Sequence, residues 1–375
     1  MEAKTLLANY QREVEKIYPQ IFAFWQREAQ KAGIITQTIL VKFFDLYPRG
    51  KQFRGALAVL GYELAGGQDR KAILEASVVL ELMETAILIA DDVFDQDEKR
   101  RGVATIHKQW EKFLRHTALD AASSPIQTRR SRCNTGMTKT ARIHFGESMA
   151  QTTAIIGFHL ALWVLAQAKF SEKIKNQVLK FYCESLIQTG FGEALDMASS
   201  WQSLKAKQGS AKLIHEYKTV RYSTVLPLKF GAIWAGKQDK IWLADLERYA
   251  LALGRIFQIQ DDIIGSFGDP KITGKANDSD IKEGRWTILM EWLWVKAGGA
   301  DRDMIQRIMA KSQRLKAEVG QIKALMQKYQ VVPLAQKKAQ AYLQAGLRVM
   351  PNLTRDKKQQ DTLTNLLRFM LERNK

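Results

Sequence analysis

The stretch LELMETAILIADDVFDQDEKRRG, residues Leu80–Gly102, decides the fold that this sequence predicts. Its first half is apolar on nearly every side of a helix, which is typical of a helix buried in a core. Asp91 and Asp95 follow four residues apart, so on a helix they project from one face with Cβ atoms roughly 5–6 Å apart. The stretch therefore predicts a core helix that ends in a cluster of acids, followed by Arg100 and Arg101.

Two carboxylates at about 6 Å repel by ~3 kcal/mol at an effective dielectric of about 20, so a buried acidic cluster favours a bound cation. Mg²⁺ fits, because it takes one or two carboxylates, keeps waters and completes its shell with phosphate oxygens. The adjacent arginines would bind more of that phosphate. Alone, an acidic triplet at a helix end is more often a solvated terminus, and this motif leaves both interpretations open.

A second stretch, GRIFQIQDDIIGSFGDPKITGKANDSDIKEGRWT, residues Gly254–Thr287, repeats the pattern. An apolar helical run carries Asp261 and Asp262, and a turn-rich segment then brings in Lys275, Lys282 and Arg285. Two buried helices that end in acids, each followed by basic residues, suit one polyphosphate held by several divalent ions. The pair of motifs makes a solvated terminus a much weaker explanation than it is for either motif alone.

These motifs resemble those of isoprenyl diphosphate synthases of the polyprenyl synthetase family. The family's first motif, DDxxD followed by RRG, is matched by Asp91, Asp92, Asp95, Arg100, Arg101 and Gly102. Its second motif, FQxxDDxxD with a later GK and DxxxGKxT, is matched at Phe257, Gln258, Asp261, Asp262, Gly274, Lys275, Asp280, Gly284 and Thr287. The resemblance runs over nearly the whole chain. It implies an all-α fold, with one helical domain over residues 1–375 around a central cavity.

The resemblance also implies a trans-prenyltransferase that condenses isopentenyl diphosphate head-to-tail with an allylic diphosphate by metal-assisted ionisation. It implies three Mg²⁺ ions with ligands from Asp91, Asp92, Asp95, Asp261 and Asp262. Catalysis is expected to depend on Asp91, Asp95, Lys218 and Asp261. A homodimer is implied as well.

Substrate-binding residues are implied in the same way. Lys51 and Arg54, one turn apart at a helix start, match the family's GGKRxRP motif and, with Arg101, would bind the diphosphate of isopentenyl diphosphate. Lys218 and Thr219 match a Lys-Thr pair that contacts the allylic diphosphate. The remaining residues expected to bind substrate are Glu84, Arg100, Gln258, Lys275 and Arg285.

Several positions depart from the family pattern. Glu84 stands where the family usually has His or Gln as a donor to isopentenyl diphosphate. It could pair with a neighbouring Lys or Arg, point elsewhere, or weaken the site, and we favour pairing. The other departures are Gln52 for Arg, Phe158 for Asp, Glu193 for Gln, Gly265 for the third aspartate of the second motif, and Arg285 for Lys.

Product length is expected to depend on residues just before Asp91. In the family, bulky aromatics four or five residues earlier stop chain growth, but here Ile87 and Ala86 hold those positions. Met83 would limit the tunnel deeper. We therefore expect a product of about C20, with C15 or longer chains left open, although ordinary core packing explains these residues equally well.

Two other protein classes stay open. A class I terpene cyclase is also all-helical with DDxxD, but its N/D-x-x-S/T-x-x-x-E motif fails at Gly265. A non-catalytic partner subunit of a prenyl synthase is suggested by Glu84, Phe158 and Gly265.

The 375-residue chain has a formal net charge of +18, which favours anionic partners. The basic residues are scattered without a nucleic-acid-binding motif, so we expect diphosphate substrates, no nucleic acid, and at most peripheral contact with anionic lipid. We expect no signal peptide. The most apolar run, Thr152–Ala168, contains His159 and Gln167 and predicts a core helix. Cys133 and Cys183 lack metal-type spacing, which is compatible with a cytoplasmic protein.

Long segments with a 3.6-residue period predict helices, and strand signals are nearly absent. A polar, basic insertion is expected as a surface loop at residues 116–142. The predicted helices are Lys4–Lys31, Ile35–Leu46, Phe53–Ala65, Asp69–Asp95, Ala104–Arg115, Gly146–Ala168, Ser171–Ser199, Leu213–Gly236, Lys240–Ile264, Trp286–Ala297, Asp301–Gln330, Pro333–Val349 and Asp361–Glu372.

Overall fold

The computed structural model describes residues 2–113, 138–199, 203–268, 278–311 and 313–373. Over these residues the chain is helical apart from turns and one short hairpin, which confirms the predicted all-α fold. The chain divides into two compact units. The smaller unit contains Leu7–Ala56 and Lys71–Lys169, and the larger unit contains Met1–Leu6, Leu57–Arg70 and Phe170–Lys375.

The smaller unit is built around the helix Arg70–Phe94, here named the first acidic helix. Most of its apolar residues are buried, including Leu80, Met83 and Ile89, as the sequence predicted. Each such side chain contributes about 1.5–3 kcal/mol when fully buried. The other helical segments with residues in this unit are Ala3–Val14, Tyr18–Ala32, Ile34–Leu46, the 3₁₀ turn Tyr47–Arg49, Phe53–Leu64, residues 106–113, and Lys139–Gln167.

A hairpin follows the first acidic helix and was not predicted. Strands β1 (Lys99–Arg100) and β2 (Val103–Ala104) pair antiparallel. The two residues between them, Arg101 and Gly102, have φ of 52° and 81°. Positive φ at both positions is the pattern of a type I′ turn, which matches the twist of the strands. Arg-Gly is a weak sequence signal for this turn, and strands of two residues are too short to show an alternating apolar pattern.

The larger unit is built around the helix Lys240–Phe267, here named the second acidic helix. Its N-cap is Asp239, whose side chain accepts hydrogen bonds from the backbone N–H groups of Ile241 and Trp242. A buried cluster that includes Ile259, Leu289 and Val331 forms much of the core. The other helices of this unit are Glu172–Ser199, Leu204–Lys207, Ser210–His215, the π-helix Glu216–Val225, Leu226–Trp234, Ser279–Glu283, Ile288–Lys296, Gly299–Met309, Lys316–Lys328, Val331–Leu353 and Lys357–Leu371.

Two predicted helices are each broken in two. The segment Lys4–Lys31 contains the helices Ala3–Val14 and Tyr18–Ala32, with Pro19 in the first turn of the second, because a helix rarely continues through the residue before a proline. The segment Asp301–Gln330 contains Gly299–Met309 and Lys316–Lys328.

One helix, Lys139–Gln167, is long and apolar enough to cross a membrane, and 44% of its most apolar window is buried within the protein. Core helices of soluble proteins meet the same criteria, so this helix alone does not indicate a membrane span. The insertion predicted at 116–142 lies mostly outside the described residues, and 139–142 form the first turn of this helix. Cys133 also lies outside them, and Cys183 is an exposed free thiol.

Candidate active site

The first aspartate motif lies at the C-terminal end of the first acidic helix. This helix ends at Phe94, but the backbone N–H of Asp95 still donates to the carbonyl oxygen of Asp91 at 2.8 Å. Asp91 and Asp95 are therefore one turn apart, as predicted. Both are partly exposed, so a ligand can reach them.

Asp92 has different surroundings, because its side chain is only 1% exposed. Arg100 Nε donates to Asp92 Oδ1 at 2.6 Å, and the same guanidinium contacts carboxylates of Asp91 at 3.1 Å and Asp97 at 3.3 Å. Burial raises the pKa of Asp92 to about 6. In this structure, therefore, Asp92 binds the arginine that the resemblance assigns to substrate, and its predicted role as a metal ligand stays a prediction.

Glu84 pairs with arginines, which confirms the favoured interpretation of this departure. Its Oε1 atom lies 2.6 Å from Arg54 NH1 and 3.6 Å from Arg101 NH2. Arg101 NH1 also donates to the carbonyl oxygen of Leu46 at 3.3 Å. The guanidinium packs against Gly50, where a Cβ atom would lie only 2.7 Å from it. Arg54 and Arg101, both expected to bind isopentenyl diphosphate, thus share one carboxylate, while Lys51 is exposed.

Glu81, one turn before Glu84, was missed by the sequence analysis. Its Oε1 atom accepts a hydrogen bond of 2.6 Å from the backbone N–H of Gly55. Burial, together with the charge of Glu84, raises the pKa of Glu81 to about 8. Two glutamates three residues apart were the available signal, because they share one helix face.

The second motif shows the same division within its aspartate pair. Asp261 is 52% exposed, and its Oδ1 atom lies 3.3 Å from Arg373 NH2. The Arg373 guanidinium also lies 4.5 Å from the centre of the Phe257 ring. No local signal in the sequence points to Arg373, because it lies over one hundred residues after Asp261.

Asp262 is 3% exposed and connects two helices. Its Oδ1 atom accepts from Gln258 Nε2 at 2.9 Å, and its Oδ2 atom accepts from the backbone N–H of Ile288 at 3.0 Å. Burial raises the pKa of Asp262 to about 7. Asp262 therefore binds protein groups in this structure, and its role as a metal ligand stays a prediction.

Asp280 occupies the space that the missing third aspartate would need. A Cβ atom at Gly265 would lie 2.2 Å from Asp280 Oδ2, so the two residues are in direct contact. Burial raises the pKa of Asp280 to about 7, and the charges of Asp262 and Asp261 add to the shift. In the sequence, Asp280 matches a family motif but has no predicted role. The structure shows that it supplies a third carboxylate beside the second motif.

Lys218 lies in the π-helix Glu216–Val225 and is held by two acids. Its Nζ atom donates to Glu193 Oε1 at 3.1 Å and to Asp196 Oδ2 at 2.7 Å. The helix that carries these acids can approach because Gly192 has no side chain: a Cβ atom there would lie 2.2 Å from the backbone nitrogen of Lys218. Short π segments are frequent at functional sites. Thr219, the other residue of the predicted pair, is half-buried.

The remaining predicted residues have varied positions. Arg285 Nε donates to Glu283 Oε2 at 2.7 Å near the surface, and Lys275 lies outside the described residues. Gln258 lines a cavity of about 220 Å³ with basic, acidic and aromatic neighbours. His215 also lines it, and burial lowers its pKa to about 4, so this imidazole is neutral at pH 7.

Within the described residues, no three His, Cys, Asp or Glu side chains converge into a ready-made metal site. The donors present are nevertheless carboxylate oxygens, the ligand type that Mg²⁺ prefers. Mg²⁺ usually takes one or two carboxylates and completes its shell with water and phosphate. The residues therefore fit magnesium that arrives with a diphosphate.

Comparison with known proteins agrees with this geometry. The family model for polyprenyl synthetase matches residues 37–122 and 127–328. A short chain isoprenyl diphosphate synthase of Methanothermobacter thermautotrophicus is 28% identical over 274 residues, which cover 73% of this chain and 72% of that protein. A geranylgeranyl diphosphate synthase of Saccharolobus solfataricus is 25% identical over 336 residues, 87% of each chain. The fold matches a geranylgeranyl pyrophosphate synthase of Corynebacterium glutamicum, complexed with isoprenyl diphosphate and magnesium, with a TM-score of 0.83 at 20% identity over 100% of both chains. The chain therefore belongs to the polyprenyl synthetase family of prenyltransferases.

Proposed function

We propose that this protein condenses isopentenyl diphosphate head-to-tail with an allylic diphosphate and releases a prenyl diphosphate of about C20. One observation carries the proposal: in each aspartate motif the first carboxylate, Asp91 or Asp261, is accessible, whereas the second is buried against protein groups. Accessible carboxylates on two motifs are what a metal-bound diphosphate needs. Family membership supports the same reaction.

Magnesium is the proposed cofactor, with three ions as the family resemblance implies. Asp91 and Asp95 in the first motif, and Asp261 with Asp280 in the second, would hold it. When bound, Mg²⁺ would neutralise the negative charge that builds on the leaving diphosphate. A relative of this fold was crystallised with magnesium and isoprenyl diphosphate.

Arg100 and Lys218 are proposed to bind the allylic diphosphate with Thr219 and Lys275. In the ligand-free chain both cations are neutralised by carboxylates, and a phosphate would take the place of some of these acids. The planar fork of Arg100 matches two phosphate oxygens, whereas Lys218 acts as a point charge. Cations fixed in this way stabilise the transition state without reorganisation during the reaction.

The other substrate, isopentenyl diphosphate, is assigned to Lys51, Arg54 and Arg101. In the reaction, the C–O bond of the allylic diphosphate breaks and the electron pair leaves with the diphosphate. The π electrons of the isopentenyl double bond then form the new C–C bond, and a proton is lost from the adjacent carbon. Exclusion of water would protect the cationic intermediate.

The product is proposed to be about C20 because no aromatic residue stands at positions 86 and 87, while Met83 and Phe43 are fully buried nearby in the same unit.

A homodimer is proposed from the helix Glu172–Ser199, where Ile187, Phe191 and Leu195 form an exposed apolar stripe. We expect the enzyme to act in the cytoplasm, with any membrane contact peripheral.

The proposal is tested by incubating the purified chain with Mg²⁺, isopentenyl diphosphate and, in separate reactions, dimethylallyl, geranyl or farnesyl diphosphate. Chromatography of the products, with and without phosphatase, identifies them. Elongated diphosphates are the expected result. Hydrocarbons would contradict the proposal and indicate a class I terpene cyclase. No product with any primer would contradict it in favour of a non-catalytic partner subunit.

A further inference from the structure

Glu84 occupies the guanidinium groups that the proposed function assigns to a substrate. Its carboxylate contacts Arg54 at 2.6 Å and Arg101 at 3.6 Å, and the three side chains are 13%, 9% and 20% exposed, in that order. A diphosphate that binds these arginines must compete with this carboxylate. A negatively charged Glu84 would then remain beside a more highly charged anion, which disfavours binding.

The neighbouring Glu81 offers a way to move that charge away from the substrate. Glu81 and Glu84 lie three residues apart on one face of the first acidic helix, so their carboxyl groups are neighbours. Burial, together with the charge of Glu84, raises the pKa of Glu81 to about 8, so the pair holds one proton at pH 7. Glu81 is 3% exposed and is fixed by the backbone N–H of Gly55 at 2.6 Å. The pair is therefore a built site for a proton next to both arginines.

The other charged and titratable groups that face the Glu81–Glu84 pair do not take up its proton. Arginine stays charged at any ordinary pH. Burial raises the pKa of each tyrosine near the pair, so these side chains stay neutral. In the described part of the chain, the groups that interact with Glu81 or Glu84 include Arg54, Arg101, Tyr10, Tyr18 and Tyr47, and Arg100 is a further positive charge near Arg101.

We propose that isopentenyl diphosphate binds with the proton of the Glu81–Glu84 pair on Glu84 and the negative charge of the pair on Glu81, so that Glu84 changes from a competing acceptor into a hydrogen-bond donor to the substrate. This proposal rests on the proposed function, because it takes the homoallylic diphosphate as the ligand of Arg54 and Arg101. Protonation explains how a glutamate at position 84 can donate a hydrogen bond to the substrate, as the His or Gln that is usual in the family would.

The pH dependence follows from the order of the two titrations. In the ligand-free protein Glu81 loses its proton as the pH rises through about 8, because burial raises its pKa to that value. A bound anion holds the proton more tightly, which moves the titration of the complex to higher pH. Affinity is therefore constant below about pH 8 and falls above it, by up to about tenfold per pH unit, until the complex also loses its proton.

Isothermal titration calorimetry with isopentenyl diphosphate alone tests this, because no condensation occurs without an allylic partner. Titrations at pH 7 to 9.5, in buffers with different ionisation enthalpies, measure affinity and proton uptake together. The wild type should take up a fraction of a proton at pH 8.5 and lose affinity above pH 8. Glu84→Gln should bind more tightly than the wild type above pH 8, with a flat pH profile and no proton uptake.

The matched control is Glu75→Gln, on the same helix, where the carboxylate pairs with Lys169 at 3.4 Å on the surface. It should behave as the wild type. Equal pH profiles for the wild type and Glu84→Gln would overturn the proposal, and the wild-type profile alone overturns it if it is flat. Condensation assays in parallel separate the two proposals: product with a flat profile overturns the proton coupling alone, and absence of product overturns both.

Discussion

Neighbouring aspartates in each motif have opposite surroundings, although the sequence gives them the same context. Asp91 and Asp261 are accessible, whereas Asp92 and Asp262 are buried and hydrogen-bonded to protein groups. The sequence identified all four residues as a set. The sequence could not show which of the four are accessible and which are buried, because burial depends on which helix packs against each carboxylate.

Replacing the buried member of the second pair should cost stability. Asp262→Ala leaves the N–H of Ile288 and the amide of Gln258 without their partner in the core, which costs about 1–3 kcal/mol. Asp261→Ala, at an exposed position, should stay within about 0.5 kcal/mol of the wild type. Urea unfolding at pH 7.5 without metal measures both. Equal losses of stability would contradict the assignment.

Asp280 should make the stability of the ligand-free protein depend on pH. Its folded pKa of about 7 lies above the usual value, so the stability linked to this group is present in full below about pH 4 and is lost as the pH rises through 7. Asp280→Asn should therefore raise the melting temperature more at pH 8 than at pH 5. Exposed Asp303→Asn is the control, and an equal shift for Asp280→Asn at both pH values would refute the prediction.

The contact between Asp280 and Gly265 is a feature of single residues that the sequence could not predict. Gly265 was identified as a departure from the family, but the carboxylate beside it comes from another helix, fifteen positions later. No spacing rule predicts such a contact, because it depends on how the helix Ser279–Glu283 packs against the second acidic helix. Glu81 was closer to prediction, since it lies one turn from Glu84.

At the scale of elements, the π-helix and its glycine contact position Lys218. Gly192→Ala should push apart the helix Glu172–Ser199 and residue 218, with a loss of about 1–3 kcal/mol in stability and a lower kcat. Gly190 is the matched control, because a Cβ atom there would meet nothing within 4 Å, and Gly190→Ala should be neutral or stabilising by up to about 1 kcal/mol. Thermal unfolding and condensation rates measure both variants. Equal stabilities and equal condensation rates for Gly192→Ala and Gly190→Ala would contradict the role of Gly192 in positioning Lys218.

Product length should depend on an aromatic ring from another helix. A Cβ atom at Gly157 would lie 2.3 Å from the Phe43 ring and 3.0 Å from Cβ of Ala86, so Phe43 fills the space beside the residue that limits the tunnel in the family. Phe43→Ala should shift the products toward longer chains. Phe44→Ala, whose ring packs on Phe22 as well as on Phe43, should shift them less. Product chromatography measures the chain length, and an unchanged chain length with Phe43→Ala would contradict the role of the Phe43 ring in limiting it.

Most helices were predicted from apolar periodicity, because burial of one face or of the whole helix leaves that period in the sequence. The breaks at residues 15–17 and 310–315 were missed. The apolar pattern continues across both interruptions, so periodicity alone joins the flanking helices. The π segment was missed as well, because a shift to i→i−5 bonding over a few turns leaves no distinct apolar pattern.

At the scale of the whole molecule, the exposed apolar stripe should form a subunit interface. Phe191 is 59% and Ile187 57% exposed on one face of a single helix, which isolated surface residues do not explain. Phe191→Glu should turn a dimer into a monomer in light scattering after gel filtration. Ile241→Glu, at an exposed isoleucine on another helix, should leave the mass unchanged. A wild-type monomer would contradict the interface.

The account depends on metal bound by both motifs during one condensation. The most direct measurement is the Mg²⁺ dependence of isopentenyl incorporation into product by the wild type, Asp91→Asn and Asp261→Asn, with melting temperatures as a check on folding. Each variant should stay folded, lose at least about 100-fold in rate and need more Mg²⁺. A variant of either residue that keeps the wild-type rate and Mg²⁺ requirement would contradict the account.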